Sequence, residues 1–408
     1  MWFNNDYLIS IYAKIFYVIC AFLNTIIINR YLGVELRGEF SYFINIINIS
    51  SILIGLAITS SYPYLKRSHG ENIIHNILRI IHLQVFLYTI GCFVIYYYYG
   101  FSFFTYISIV SVLFQYASQL DFLAIVSDIK KRNMIMNMSV LFYLLLLLVS
   151  FLWIEKNFTI VIFLFSIYCF FRIVLYNYSF RFIYKKSSCV SISTSQIIRY
   201  SWFPMLVAFF GVLNYNLDVI ILEKYVSFYE IGIYSAAVGL ASIVWVIPDA
   251  FKDVLIGRLT KDDSIFQLLT GIKVNLFFSL FVILFFILFG KSAIVFFYGI
   301  EYEDSYLVTV FLLIGVIPMI FYKFINSLYL TRGKQVFSFW ALFSSVALNV
   351  FLNIFLIPLF GINGAAFATI FSYFFVGILM VIVFCKDYSI NFKNLFILSK
   401  NELSDLLK

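Results

Sequence analysis

The sequence predicts an all-α polytopic membrane protein, with about twelve transmembrane helices in two pseudo-symmetric six-helix bundles around a central cavity. Three observations carry that prediction. Hydrophobic residues make up 63% of the chain and charged residues only 12%, with a mean hydropathy of +0.99. Soluble proteins need far more polar surface than this, whereas in a bilayer the apolar surface is the solvated one. The apolar residues also fall into long continuous runs without period-2 alternation, which argues for helices and against an outer-membrane barrel. Finally, one helix–turn–helix pattern occurs twice. Asn24 to Tyr42 slides onto the second copy at an offset of 194 residues, so that Asn24 meets Asp218, Arg30 meets Lys224 and Tyr31 meets Tyr225. In the same register Gly38 meets Gly232 and Ser41 meets Ser235. A membrane chain that repeats itself at half its length reads as a duplication.

A helix needs about 20 apolar residues to span a bilayer. Spans are predicted at 8–29, 39–62, 77–98, 101–125, 134–154 and 158–179, then at 201–222, 229–250, 268–290, 305–329, 337–359 and 363–385. The tightest connection lies at Tyr99 and Gly100. Lys and Arg concentrate on the inner side of membranes. With the N-terminus inside, 19 of them fall in inner connections and the tail, and 5 (Arg30, Arg37, Lys156, Lys224, Lys291) in outer loops. This predicts a multi-pass protein with both termini cytoplasmic. The domains follow: an N-terminal bundle over 1–180, a cytoplasmic linker over 181–200, a C-terminal bundle over 201–385 and a cytoplasmic tail over 386–408. The tail is too short and charged for another span and reads as interfacial. Before the first apolar run stands no basic segment of the signal-peptide type, so the first span reads as a retained helix.

Composition excludes several roles. No basic stretch interleaved with polar residues offers a nucleic-acid footprint. The five cysteines lack C-x-x-C spacing and read as small buried side chains. His69, His75 and His82 lack the i, i+4 spacing of a metal pair, and Asp262 with Asp263 is too little for a metal site. No metal and no cofactor are expected.

Three stretches carry a family resemblance: Arg30 to Phe40, Glu230 to Ala237, and Asn349 to Thr369 with its Gly364-Ala-Ala-x-Ala368. Together they resemble the polysaccharide-transport branch of the multidrug/oligosaccharidyl-lipid/polysaccharide exporter superfamily, nearest to O-antigen and related lipid-linked-oligosaccharide flippases. The resemblance implies a non-enzyme. It implies a flippase that moves an undecaprenyl-diphosphate-linked oligosaccharide from the inner to the outer leaflet, by alternating access through a cavity lined with basic residues. Its expected partners are that lipid-linked substrate, membrane lipid, a proton or sodium ion for coupling, and other polysaccharide-assembly membrane proteins. A drug/cation antiporter of the same superfamily and a membrane polysaccharide polymerase are the alternatives. Short outer loops speak against the polymerase.

Charges within spans are costly and mark function or pairing. Lys14, Arg172, Lys273 and Lys323 all fall in the inner half of the bilayer and are the expected pyrophosphate-binding cations of a cytoplasm-facing cavity. Snorkelling to the headgroups is the competing role, above all for Lys273 near its helix end. Asp121 and Asp249 lie near inner helix ends, where structural pairing or hydration is expected. Asp218, in a segment with Asn214 and Asn216, is the candidate for ion coupling or gating, and interfacial hydrogen bonding is its alternative. The small residues of Gly364 to Ala368, like Gly38 and Gly232, are expected to serve helix packing.

Overall fold

A computed structural model describes residues 5–56, 58–70, 73–185, 193–259 and 265–396, without the side chains of 5–11 and 182–185. Among these residues there is no strand. The helices are α1 (Asn5–Gly55), α2 (Tyr62–His69), α3 (Ile74–Tyr99), α4 (Phe103–Ser127), α5 (Ile129–Trp153) and α6 (Phe158–Lys185). The second series is α7 (Thr194–Leu222), α8 (Phe228–Val244), α9 (Val246–Leu259), α10 (Ile265–Tyr298), α11 (Ser305–Thr331) and α12 (Gln335–Tyr388).

Twelve helices are not twelve crossings one for one. α1 and α12 are each long enough for two spans, and each is broken at a glycine. Gly33 has φ 75°, ψ 178° and Gly361 has φ 55°, ψ −134°, conformations that cost other residues dearly. At Gly361 the chain folds back on itself: Ser345 Oγ donates to Ser372 O at 2.8 Å across 27 residues of sequence. α8 and α9 form one bent span, at 50° to each other. Pro248 explains the break, since it lacks an N–H for the carbonyl four residues back, at Val244, and its ring clashes there. α2 is too short to cross. The nine long apolar helices and the bent pair, with α1 and α12 counted twice, therefore give the twelve crossings expected. This is a multi-pass membrane protein.

Helix ends are signalled locally. Ser193 with Gln196 and Ser227 with Glu230 form capping boxes at the starts of α7 and α8. Asp128 accepts from the Lys131 N–H at the start of α5. The expected linker is shorter than 181–200, because α6 runs on to Lys185 and α7 starts at Thr194. Residues 186–192 and the tail from 397 lie outside the described residues.

The connections sort onto two faces. On the basic face, Arg67 of α2 donates to Leu259 O at 3.2 Å, and Lys66 donates to Val126 O at 3.0 Å. On the opposite face, Arg30 donates to Phe297 O and Phe296 O at 2.9 and 2.8 Å, and Tyr302 OH donates to Asn29 O at 3.2 Å. The buried residues of the largest apolar cluster run from Val207 onward, with Tyr42 and Ile129 of the first half packed against them. Others, such as that of Ile28, Tyr31, Leu147 and Cys169, lie wholly in the first half. One small cluster (Val34, Ile233, Ala236, Ile294, Tyr298, Tyr302) seals the seam between halves on the opposite face.

At that seam the sequence repeat becomes geometry. A Cβ on Gly38 would lie 1.9 Å from Phe228 O, and one on Gly232 would lie 2.1 Å from Val34 O. Val34 and Phe228 are themselves 194 residues apart. Each half therefore presents the same surface to the other, as across a two-fold axis. The expectation that these glycines serve packing holds, with the two packing on each other.

A candidate translocation cavity and its ion lattice

Two adjoining cavities lie between the halves. The first, about 340 Å³, is lined by both arms of α1, by α5 and α6, and by α7 and α8, with Asn24, Arg37, Ser41, Tyr143, Tyr168 and Ser235 on its wall. The second, about 470 Å³, is lined by Asn48, Asn216, Asp218, Trp245, Asp249 and Lys323, among others. They share Asn45, Tyr215, Val238 and Ser242. Tyr215 stands at the junction, its ring 5.9 Å from that of Tyr373 and 6.5 Å from that of Trp245.

Toward the basic face a buried ion lattice bridges the halves. Asp253 of α9 lies 3.5 Å from Lys14 Nζ and 3.2 Å from Arg132 Nη1, both from the first half. Arg132 also grips Asp121 in a fork, at 2.9 and 3.1 Å, and Tyr176 OH donates to the same carboxylate. Arg172 Nη2 lies 4.0 Å from Asp121, and its guanidinium stacks over Tyr168 at 5.5 Å. In the second half Asp249 takes Lys252 at 3.2 Å and Lys323 at 2.9 Å, and Lys252 reaches Asp253 at 3.6 Å. The Lys323 ammonium sits 3.9 Å from the centre of the Trp245 ring. Five cations thus share three carboxylates, a net positive lattice in a place where unpaired charge is expensive.

The expected cationic cavity is only partly realised. Of the four expected phosphate-binding cations, Lys323 alone lines these cavities, and it is ion-paired. Lys14 and Arg172 are drawn into the lattice. Lys273 is 6% exposed on α10, away from both cavities, so its side chain is buried rather than snorkelled. Asp121 and Asp249 are structurally paired, as expected.

The residue that loop counting missed is Arg37. It lines the first cavity, donates from Nε to Asn29 Oδ1 at 2.8 Å, and lies 5.6 Å over the Phe40 ring. Among the described residues it has no carboxylate within ion-pairing distance. A signal did exist in the sequence: Arg37, Ser41, Asn45 and Asn48 are spaced by four, four and three, a polar stripe down one helix face. The bend at Gly33 places that stripe inside the bundle.

Asp218 is 4% exposed and borders the second cavity. Its carboxylate accepts from Asn353 Nδ2 and Tyr234 OH, both at 2.9 Å, and from Thr369 Oγ1 at 2.5 Å. Asn353 also donates to Asn349 Oδ1 at 2.9 Å, while its own Oδ1 is buried without a partner. α7 and both arms of α12 thereby converge several oxygens around one carboxylate. Hard oxygen donors with a single negative charge suit a small monovalent cation or a proton.

No family model matches the chain. An uncharacterised membrane protein of Methanocaldococcus jannaschii is 24% identical over 189 residues, 46% of each chain, so the alignment spans about half the length of that relative. Solved structures reach further. A mutant of the Vibrio cholerae MATE transporter VcmN superposes with a TM-score of 0.71 at 13% identity, over 96% of this chain and 98% of that one. The lipid II flippase MurJ, in an inward closed conformation, gives 0.70 at 15% identity, over 98% and 91%. The MATE multidrug transporter DinF-BH gives 0.67 at 17%, over 98% of each chain. This chain shares their fold. Of these three, two are MATE transporters and one is a flippase.

Proposed function

We propose that the protein is a flippase for a polyprenyl-diphosphate-linked oligosaccharide of the O-antigen type, moving it from the leaflet at the basic face to the opposite one. The carrying observation is Arg37, a guanidinium on the cavity wall with no carboxylate partner. Among the described residues, the lattice cations are each ion-paired, so Arg37 is the group free to take an oxyanion, and its planar fork suits a phosphate. When the basic face opens, the halves part at Asp253, which frees Lys14 and one side of Arg132 toward the incoming headgroup, while Arg172 and Lys323 keep the carboxylates of their own halves. In this reading the basic face is cytoplasmic, the membrane is the bacterial inner membrane, and bundles 1–180 and 201–385 rock against each other. The lipid tail stays in the bilayer throughout, and partner assembly proteins act on the delivered product. Asp218 with Asn349, Asn353 and Thr369 is the coupling site for a proton or sodium ion.

A second reading, export of an organic cation, draws on Asp218, an acidic group bordering the cavity without a basic partner. Three of its roughly four lone-pair sites already accept hydrogen bonds, which leaves room for a small ion rather than a bulky cation.

The test uses cells whose surface glycan depends on this gene. Arg37→Ala, expressed and membrane-inserted at the normal level, is expected to lose the glycan, and Arg37→Lys to keep part of it. Normal glycan from Arg37→Ala would overturn the reading, and drug sensitivity in the absence of the gene would favour the second.

A further inference from the structure

Among the described residues, four that line the first cavity each carry a buried polar atom with no hydrogen-bond partner: Asn24 Oδ1, Ser41 Oγ, Tyr143 OH and Ser235 Oγ. They come from both arms of α1, from α5 and from α8, and so from both halves. Leaving a buried polar group unpaired costs free energy, and native interiors rarely do so. Four around one cavity form a set, and Ser41 and Ser235 are counterparts in the 194-residue repeat. Three of the four are hydroxyls, which both donate and accept, and the fourth is a carbonyl acceptor. Their natural complement is a ligand whose own groups also donate and accept, which is the property of a sugar ring. Aromatic walls complete the match, since Tyr143 and Tyr168 stand 5.1 Å apart beside Phe165 and offer flat apolar surface to ring C–H groups. Arg37 lies on the same wall.

We infer that this compartment is a sugar subsite, in which Asn24, Ser41, Tyr143 and Ser235 read the phosphate-proximal sugar while Arg37 holds the diphosphate. The inference rests on the flippase reading and sharpens it: specificity for the first sugar resides in these four residues, in the compartment nearest the pseudo-two-fold contact.

The experiment uses the full chain in nanodiscs and two probes, undecaprenyl diphosphate and undecaprenyl diphosphate carrying one N-acetylhexosamine. The ratio of their Kd values is the sugar increment. The variant Asn24→Leu/Ser41→Ala/Ser235→Ala is expected to lose the increment by about tenfold or more, as several hydrogen bonds are lost together. It should bind the sugar-free lipid as the wild type does. Its melting temperature without ligand should stay level or rise, because unpaired polar atoms have been removed. An increment that survives in the variant, a wild type with no increment, or a ligand-free melting temperature lowered by several degrees would each overturn the sugar subsite. Arg37→Ala is expected to weaken both lipids alike. If it leaves both unchanged, the flippase reading fails on its own, whatever the sugar increment does.

Discussion

At the scale of single residues, Asp253 has the greatest leverage. One carboxylate of α9 faces Lys14 and Arg132 from the other half and Lys252 from its own. Asp253→Asn keeps the shape and removes the charge, leaving Lys14 with no described carboxylate. Breaking one partner of a buried ion pair costs about 3–5 kcal/mol. The variant should therefore melt at a clearly lower temperature, with the closed basic face giving way first. Asp128→Asn is the contrast, because the Asp128–Lys131 pair is half exposed and such pairs contribute about 0–1 kcal/mol, while Asn still caps α5. Equal melting temperatures for the two variants would deny the lattice its role. The sequence made part of this lattice legible: Lys14, Arg172 and Lys323 stood within spans and had to find partners, and Asp121 and Asp249 stood near them. Arg132, Asp253 and Arg37 were not legible by the same method. A window that follows apolar runs ends a span where the polar residues begin, and it assigned these three to connections. The helices continue past that point. α9 carries Asp253 onward after the bend at Trp245, and the second arm of α1 starts before its apolar run, so Arg37 faces the cavity. Which charge meets which is decided by helix rotation, and no span boundary encodes it.

At the scale of elements, the crossing of α1 with α8 is the tightest contact between halves. Gly38 and Gly232 let two backbones approach so closely that no side chain fits between them. Either Gly38→Ala or Gly232→Ala would drive a methyl into a carbonyl of the other helix, and overpacking of this kind costs typically 1–3 kcal/mol. The two helices must part, so the opposite face should open in each single variant. The double variant should cost well under the sum of the two, because both methyls disturb one contact. Strictly additive losses in melting temperature would mean that the two glycines act at separate places. The elements themselves were largely readable, since a bilayer demands about 20 apolar residues per crossing and all twelve runs are crossed by helix. The repeat also paired Gly38 with Gly232 before any geometry. What stayed hidden was that corresponding residues touch one another, and that Pro248 breaks the eighth span in two. A proline two residues before the end of an apolar run is equally compatible with a loop beginning there.

At the scale of the whole molecule, the halves meet at two seams: the ion lattice toward the basic face, and the glycine crossing with its Arg30 and Tyr302 bonds toward the other. Two closures made of different chemistry can be weakened independently, and alternating access requires that they open one at a time. Ser242 is exposed to the interior and lines both cavities, so a cysteine there reports access from either side. In a background freed of the native cysteines, Ser242→Cys should react slowly with a membrane-impermeant thiol reagent applied to either face. Adding Asp253→Asn should speed labelling from the basic face alone, and adding Gly38→Ala should speed it from the opposite face alone. The sign follows from the location of each closure: neither change touches the seam at the far end, so the far seam keeps the reagent out. Combining the two should admit reagent from both faces and uncouple the pathway. If Asp253→Asn alone exposes Ser242→Cys to both faces, the two seams form one closure, and rocking of two bundles about the Gly38–Gly232 contact is not how this molecule moves its substrate.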